Sequence, residues 1–456
     1  MIKNTQKLAC GLLIAGAFVS HSASSGHWQK EKNLQWGSHA LVHAQHQHIE
    51  VEKQVLFNKD NSALLIIDAQ QAYVPGTADF WPTLYYPQYP VPPQNIDHDI
   101  LNKITRIATL AQGAKEAGLK TSITYEGFPE MHSPFITQIE SELSETTQRF
   151  YKAYFNSTQE APINNAMQQL LDNGITQIIV AGAETDVCVL QTVLGLKKMG
   201  FDVFVVSDAV FSTEVYTRPT FKRMQQAGIK LTKTDQILGA LNGEEKIILS
   251  PRYGIQQRYN LYQGNRHKMA SVTFNLDANN IKLAEHDNKE AIAYRARQWS
   301  NYVTYSFVPG SGMATFNISA EGKSYTAALS KPANLQSVSN INQVVKGMQQ
   351  AGKNQAIISG VVSEKELINA TIKLIEAGIV PVILEDNLMG KKMDPIHFLD
   401  TVYSLGAIPS TFKTTGYEMT QAIEFIDLSE DEINSVINMH NNSDTQTLIE
   451  LMPALR

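Results

Sequence analysis

The amino-acid sequence predicts an α/β fold of three layers, with helices on both faces of a mostly parallel central sheet, occurring twice in the chain. Short continuous apolar runs end abruptly in Gly or Asp, as strands do when both faces of a parallel sheet are buried. These runs alternate with stretches of helical spacing, the order that builds β-α-β units. The clearest unit, Ile178 to Asp208, returns at a constant offset in the second half of the chain.

The 456 residues give room for about two to three globular domains. A net charge of −6 with no long run of like charge argues against a nucleic-acid-binding surface and favours small molecules or other protein as partners. Residues 1–25 have the form of a signal peptide: Lys3 and Lys7, an apolar run from Leu8 to Val19, then Ser20, Ser22, Ala23, Ser24 and Ser25. That run is too short to span a bilayer, so the expectation is cleavage between Ser22 and Ser25, a secreted or periplasmic product, and no membrane contact afterwards. Cys10 would leave with the leader. Cys188 then remains as a lone exported thiol, either buried and inert or kept for its reactivity.

Residues 26–60 read as a polar extension; its His39, His43, His46 and His48 lack the carboxylate or cysteine that would complete a metal set. The first domain is expected over 61–243. The apolar run Ala63 to Ile67 is a central strand ending at Asp68, which is either a catalytic carboxylate at the sheet's carboxyl edge or a cap for the next segment. Tyr73 to Pro93, rich in proline and aromatics, reads as an ordered lid or contact surface. A helix from Asp99 to Ala117 follows, with Ile100, Ile104, Ile107 and Leu110 at helical spacing and Gly118 at its end. Thr121 to Tyr125 is the next strand, and the loop after it carries Glu126, Phe128 and His132. Lys152 lies among Phe150, Tyr151, Tyr154 and Phe155, surroundings expected to desolvate its ammonium and lower its pKa. A helix from Ile163 to Asp172 leads to the strand Ile178–Val180, a sharp turn, Cys188 at a helix start, and a second strand ending at Asp208. A helix start favours the thiolate.

Taken together, Asp68-x-Gln70, Lys152 before an aromatic turn, and Gly182-x-x-Thr185-x-x-Cys188-Val189 followed by Asp208-Ala209 resemble the isochorismatase-like cysteine hydrolases, a family that includes nicotinamidases and N-carbamoylsarcosine amidohydrolases. The resemblance covers about residues 60–240. It implies a catalytic triad of Asp68 as general base, Lys152 as the group holding carboxylate and thiolate, and Cys188 as nucleophile. It also implies an oxyanion hole at the backbone of Glu184 and Cys188, with a cis peptide between Ala183 and Glu184. The implied reaction is hydrolysis of an amide-type carbon–nitrogen bond of a small molecule through a thioester, without a cofactor. Nicotinamidases carry Asp-x-His after the second strand, whereas Phe128 stands at the histidine position here, so no metal is expected. Gln70, Tyr125, Phe128 and Tyr151 are the expected substrate contacts.

In the second copy, expected over 247–456, Ile357, Ile358, Ser359 and Gly360 match Ile179 to Gly182, and Gly378, Asp386 and Gly406 match Gly200, Asp208 and Gly228. Glu366 then occupies the place of Cys188, so this copy cannot form a thioester and reads as a degenerate domain, although Asp277 and Lys331 leave a separate binding site open. Val272 to Asp277 and Tyr302 to Val308 are its expected first two strands. A fused copy predicts an intrachain pseudo-dimer, with a homo-oligomer as the other possibility. The rivals to an amide hydrolase are a vinyl ether hydrolase of isochorismatase type, a non-catalytic exported binding protein, and a redox sensor, for which a resolving cysteine is missing.

Overall fold

The computed structural model describes residues 54–80, 98–127, 133–213, 217–244, 246–250, 261–274, 314–318, 335–390 and 396–421. The expected leader, the histidines of the extension, and Phe128, His132, Asp277, Tyr302 to Val308 and Lys331 lie outside these residues. None of the described helices is long and apolar enough to cross a membrane.

The first half begins with β1 (Gln54–Leu56), β2 (Ser62–Ile67), α1 (Ile100–Glu116) and β3 (Lys120–Tyr125). It continues through α2 (Thr137–Glu140), β4 (Gln148–Tyr151), α3 (Ala161–Asp172) and β5 (Gln177–Ala183). A wide buried turn, Thr185–Val189, then leads into α4 (Leu190–Met199). β6 (Asp202–Phe211), α5 (Arg218–Gln226), β7 (Lys230–Thr232), α6 (Thr234–Leu241) and β8 (Lys246–Ile248) complete it. Six strands form one parallel sheet in the order β4-β3-β2-β5-β6-β7, while β8 pairs antiparallel with β1.

Every residue of β2 is buried because both sheet faces are covered, which is why its run is apolar without alternation. Leu64 and Ile66 face a core shared with Ile104, Ile107 and Leu110 of α1 and Ile237 of α6. Leu65 and Ile67 face the opposite core with Ile163, Met167, Leu190 and Val193. α1 contains two threonines and three isoleucines, each costing up to about 0.7 kcal/mol in intrinsic propensity. Full burial of an isoleucine stabilises by about 1.5–3 kcal/mol, so packing decides the helix. Gly118, at φ 72°, closes it in the left-handed conformation, its N–H donating to the Lys115 carbonyl at 3.1 Å.

The second half carries β9 (Met269–Phe274), β10 (Thr315–Ile318), β11 (Leu335–Val338), α7 (Ile341–Gln350), β12 (Gln355–Val362) and α8 (Glu364–Glu376). β13 (Val380–Gly390), α9 (Ile396–Leu405), β14 (Ile408–Ser410) and α10 (Phe412–Thr420) follow. Its parallel sheet, β11-β10-β9-β12-β13-β14, has the strand order of the first, so it resembles a repeat. The likeness extends to register. Pairing shifts between Val180 and Gly182 in β5, and between Ile358 and Gly360 in β12, the same place 178 residues on, counting from 182 to 360. Both glycines have positive φ, 117° and 99°, and a Cβ on either would meet the carbonyl oxygen of the neighbouring strand, Ile67 at 2.0 Å or Phe274 at 2.4 Å. Neither position accepts a side chain.

Two expectations for this half need correction. Its first strand begins at Met269, three residues before the expected Val272, and among the described residues the strand paired beside it is Thr315–Ile318. Glu366, in the register of Cys188, closes a capping box: Ser363 N–H donates to Glu366 Oε2 at 2.9 Å, and Glu366 N–H to Ser363 Oγ at 3.3 Å.

The two halves meet along α5 of the first and β13 to β14 of the second. Lys222 on α5 donates to Asp400 on α9 at 2.5 Å, and these two residues are themselves 178 apart. Beside them Gln226 Nε2 donates to the Ala407 carbonyl at 2.9 Å, Arg218 pairs with Glu385 at 3.3 Å, and the Lys222 ammonium lies 5.0 Å from the centroid of the Tyr403 ring. One element departs from the symmetry. α6 packs on α1 and β6 of its own half, whereas its counterpart α10 crosses to the turn that carries Cys188.

Candidate active site

Four neighbouring strands of the first sheet end in polar residues at the same edge. Lys152 follows β4, Glu126 follows β3, Asp68 follows β2, and Glu184 follows β5 just before the turn that presents Cys188. Parallel strand order alone therefore gathers them at the carboxyl edge, where open α/β sheets place ligands.

The Lys152 ammonium is the centre of the group. Its Nζ lies 2.8 Å from Asp68 Oδ2, 2.6 Å from Glu126 Oε2 and 3.3 Å from Cys188 Sγ, with Lys152 and Asp68 fully buried and Glu126 13% exposed. Asp68 stands at φ 45°, its Oδ1 accepting from Thr124 Oγ1 at 2.8 Å and its N–H donating to the Thr124 carbonyl at 3.1 Å. The Cys188 Sγ is 3.4 Å from Glu126 Oε2. One donor atom each of Asp68, Glu126 and Cys188 fall within 4.8 Å of one another, and the cation among them is the ammonium of Lys152.

This crowding reverses two electrostatic expectations. Burial alone would lower the Lys152 pKa, but Asp68, Cys188 and Glu126 together raise it well above the ordinary lysine value. The Cys188 thiol is likewise pushed well up, by burial first and then by the Glu126 charge, with Lys152 offsetting only part of it. Burial also raises Glu126, to about 7, against the pull of Lys152. At neutral pH the resting group therefore holds a charged lysine, a protonated thiol and a carboxyl near its midpoint.

The remaining expected contacts are distributed as follows. Gln70 is buried, and its amide is fully engaged with backbone: Nε2 donates to the carbonyls of Glu126 and Ser133, both at 2.9 Å, and Oε1 accepts from Glu126 N–H at 2.8 Å. It fixes the loop that carries Glu126. Tyr125 and Tyr151 are half-buried at the strand ends, their rings edge-on with centroids 5.7 Å apart, and Phe135 sits edge-on to Tyr125 at 5.7 Å. The peptide between Ala183 and Glu184 is cis, as the resemblance implies. The Glu184 carbonyl accepts from the N–H groups of Val187 and Val189, both at 3.1 Å.

The Glu184 side chain turns away from the thiol into a second buried group. Its Oε1 accepts from Thr213 N–H at 2.9 Å, Thr213 Oγ1 at 2.5 Å and Lys413 Nζ at 2.9 Å. Asp186 Oδ1 accepts from Ser212 Oγ at 2.6 Å and lies 3.4 Å from the same ammonium. Burial pushes both carboxyls up. For Glu184, Lys413 and Thr213 outweigh it and hold the pKa low; for Asp186, burial prevails, helped by the charge of Glu184.

Sequence reasoning left Glu126 and Lys413 out of the site. Glu126 carried the same signal as Asp68, a carboxylate directly after a buried strand. Lys413 carried none.

Residues 62–236 match the isochorismatase domain. Among curated proteins, isochorismatase family protein 2B of Dictyostelium discoideum is 29% identical over 145 residues, 30% of this chain and 64% of that protein. The probable hydrolase YcaC of Escherichia coli is 25% identical over 178 residues, 39% of this chain and 76% of its own. The MAR1 ribonuclease structure from Caenorhabditis elegans aligns at 26% identity and a TM-score of 0.33, covering 42% of this chain and 85% of that one. The chain spans just under two thirds of the length of the first curated relatives it matches.

Proposed function

We propose that residues 62–236, an isochorismatase domain, hydrolyse an amide-type carbon–nitrogen bond of a small molecule through a Cys188 thioester, in a chain exported by its N-terminal leader. The observation that carries this reading is the contact of Lys152 with both Asp68 and Cys188. A buried thiol beside two carboxylates and an ammonium is an expensive arrangement for packing alone, because unpaired burial of any one charge costs several kcal/mol.

In the proposed cycle Cys188 Sγ attacks the carbonyl carbon and its proton passes to the Asp68 carboxylate. The negative charge arising on the substrate oxygen is received by backbone N–H groups of the turn at Glu184 and Cys188. The carbon–nitrogen bond breaks, the amine departs with the proton from Asp68, and a thioester remains. Asp68 then takes a proton from water, whose oxygen attacks the thioester carbon, and the acid product and the free thiol are regenerated. Throughout, Lys152 keeps Asp68 oriented and offsets the charge on sulfur. Tyr125 and Tyr151 supply apolar surface for the substrate.

The test is Cys188→Ala, screened with wild type against small amides. Expected are a thermal midpoint within a few degrees of wild type and complete loss of turnover. A folded, active Cys188→Ala protein refutes the mechanism, and a wild-type protein that binds small amides without turning any of them over favours a binding protein instead.

A further inference from the structure

The nucleophile's turn is held by a cation from the other half of the chain. Lys413, on α10, reaches Glu184 Oε1 at 2.9 Å, Ser212 Oγ at 3.0 Å, Thr213 Oγ1 at 3.3 Å and Asp186 Oδ1 at 3.4 Å. All five residues are buried. Glu184 immediately precedes, and Asp186 is the second residue of, the turn whose fourth residue is Cys188. The first half contributes hydroxyls and one amide to these carboxylates, while the ammonium comes from the second.

The same helix grips the site at three further points. Glu418 Oε1 accepts from Gln191 Nε2 at 3.0 Å, on α4 just beyond Cys188, and pairs with Arg223 at 2.5 Å. The Tyr417 ring stands edge-on to Phe155 at 5.1 Å, and the Gln421 carbonyl accepts from Phe155 N–H at 3.1 Å. Phe155 is three residues after Lys152. α10 therefore touches the chain before Cys188, after Cys188 and after Lys152.

We propose that the second half serves as a built-in partner subunit, with Lys413 as the positioning residue that sets the Cys188 turn against Lys152. A Cys188–Lys152 contact of 3.3 Å joins two segments that the first half ties through Thr192, whose Oγ1 donates to the Phe155 carbonyl at 3.4 Å and accepts from Ser157 N–H at 3.0 Å, so its length depends on everything that holds each segment. In the parallel sheet β4 and β5 are separated by β3 and β2. α10 adds to the Thr192 contacts a second bridge between the two outgoing loops, from the other half of the chain. A helix that served its own half only would occupy the place α6 takes in the first copy.

The inference rests on the cysteine-hydrolase reading, and Cys188 alkylation in the full-length chain separates the two. Rates of labelling by iodoacetamide are followed by intact mass across pH 5–9 in wild type, Lys413→Arg, Lys413→Met and the triple variant Lys413→Met, Glu184→Gln, Asp186→Asn, alongside thermal midpoints. The wild-type profile should depart from that of a free thiol, with its pKa of about 8.5. Lys413→Met should move that profile toward the free-thiol curve, with at least a tenfold change in rate at one end of the range, and Lys413→Arg should restore it. The triple variant buries no unpaired charge, so it keeps the test alive if Lys413→Met does not fold. It should fold and still show the altered profile. A lowered midpoint with a wild-type profile in the folded Lys413 variants overturns the inference and assigns Lys413 to stability alone. A wild-type profile that already equals the free thiol overturns the hydrolase reading instead.

Discussion

Replacing Glu126 with Gln should make Cys188 more reactive, although it removes a polar group from the site. The Glu126 carboxylate lies 3.4 Å from Sγ, and like charges at that distance repel by about 5 kcal/mol at an effective dielectric of about 20. Glu126 also draws on the Lys152 ammonium, at 2.6 Å, which a thiolate would otherwise have to itself. Because Glu126 titrates near 7 and the thiol well above its ordinary value, full repulsion is seldom realised, and part of it is expected to come off the thiol pKa. Thiolate nucleophilicity declines as pKa declines, with a slope of about 0.4–0.5, so the net gain in alkylation is about threefold to tenfold. The sign has a distinctive pH dependence. Below about pH 6 the wild-type Glu126 is already protonated and the two proteins should react alike; the gap should open between pH 6 and 8. Stopped alkylation with mass detection gives the curves. An unchanged or slower rate at pH 8 in a folded Glu126→Gln protein refutes the electrostatic account of the site.

The same carboxyl affects stability. Its folded pKa is raised from 4.5 to about 7, so the native state binds the proton more tightly and stability falls as pH rises from 4.5 through 7, by about 3 kcal/mol for this group. Denaturant titrations at pH 5 and 8 should show this loss in wild type and its disappearance in Glu126→Gln; an equal loss in both proteins removes Glu126 as the cause. At Gly182 an added Cβ would lie 2.0 Å from the Ile67 carbonyl oxygen at φ 117°, and Gly182→Ala should cost more than about 4 kcal/mol in thermal or denaturant unfolding. Gly360→Ala should be damaging for the same reason, and a variant melting within a few degrees of wild type would show that the strands can part at little cost.

Residues that follow buried strands were legible in the sequence because an apolar run that stops at a charge marks both the strand and its edge. Asp68 and the Cys188 turn were found in this way, and the repeat of Gly182 at Gly360 disclosed the second sheet. The first strand of that sheet was harder. Met269–Phe274 carries Ser271 and Thr273, both buried, on the face where β2 has Leu64 and Ile66, so its run is broken by polar residues. The protonation of the site was misjudged for a different reason. Local sequence shows the aromatics beside Lys152 and the helix after Cys188, but not the three strands that bring Asp68 and Glu126 onto the same ammonium. Gln70 stands two residues from Asp68 and invites a role toward ligand, yet its amide is occupied by the backbone of residues 126 and 133. Lys413 contacts a residue 229 positions away, beyond the reach of any local pattern.

The pairing of Lys222 with Asp400 shows what two unlike halves in one chain make possible. In a dimer of identical chains, a residue on the two-fold axis meets its own copy, and a lysine there would face a lysine. Where two similar halves share one chain, corresponding positions can differ, and here one carries the cation and the other the anion. Opposite charges at mirrored positions are satisfied in only one arrangement, first half against second. Two first halves set against each other at this contact would place a Lys222 ammonium where Asp400 stands now, and like charges there disfavour that pairing.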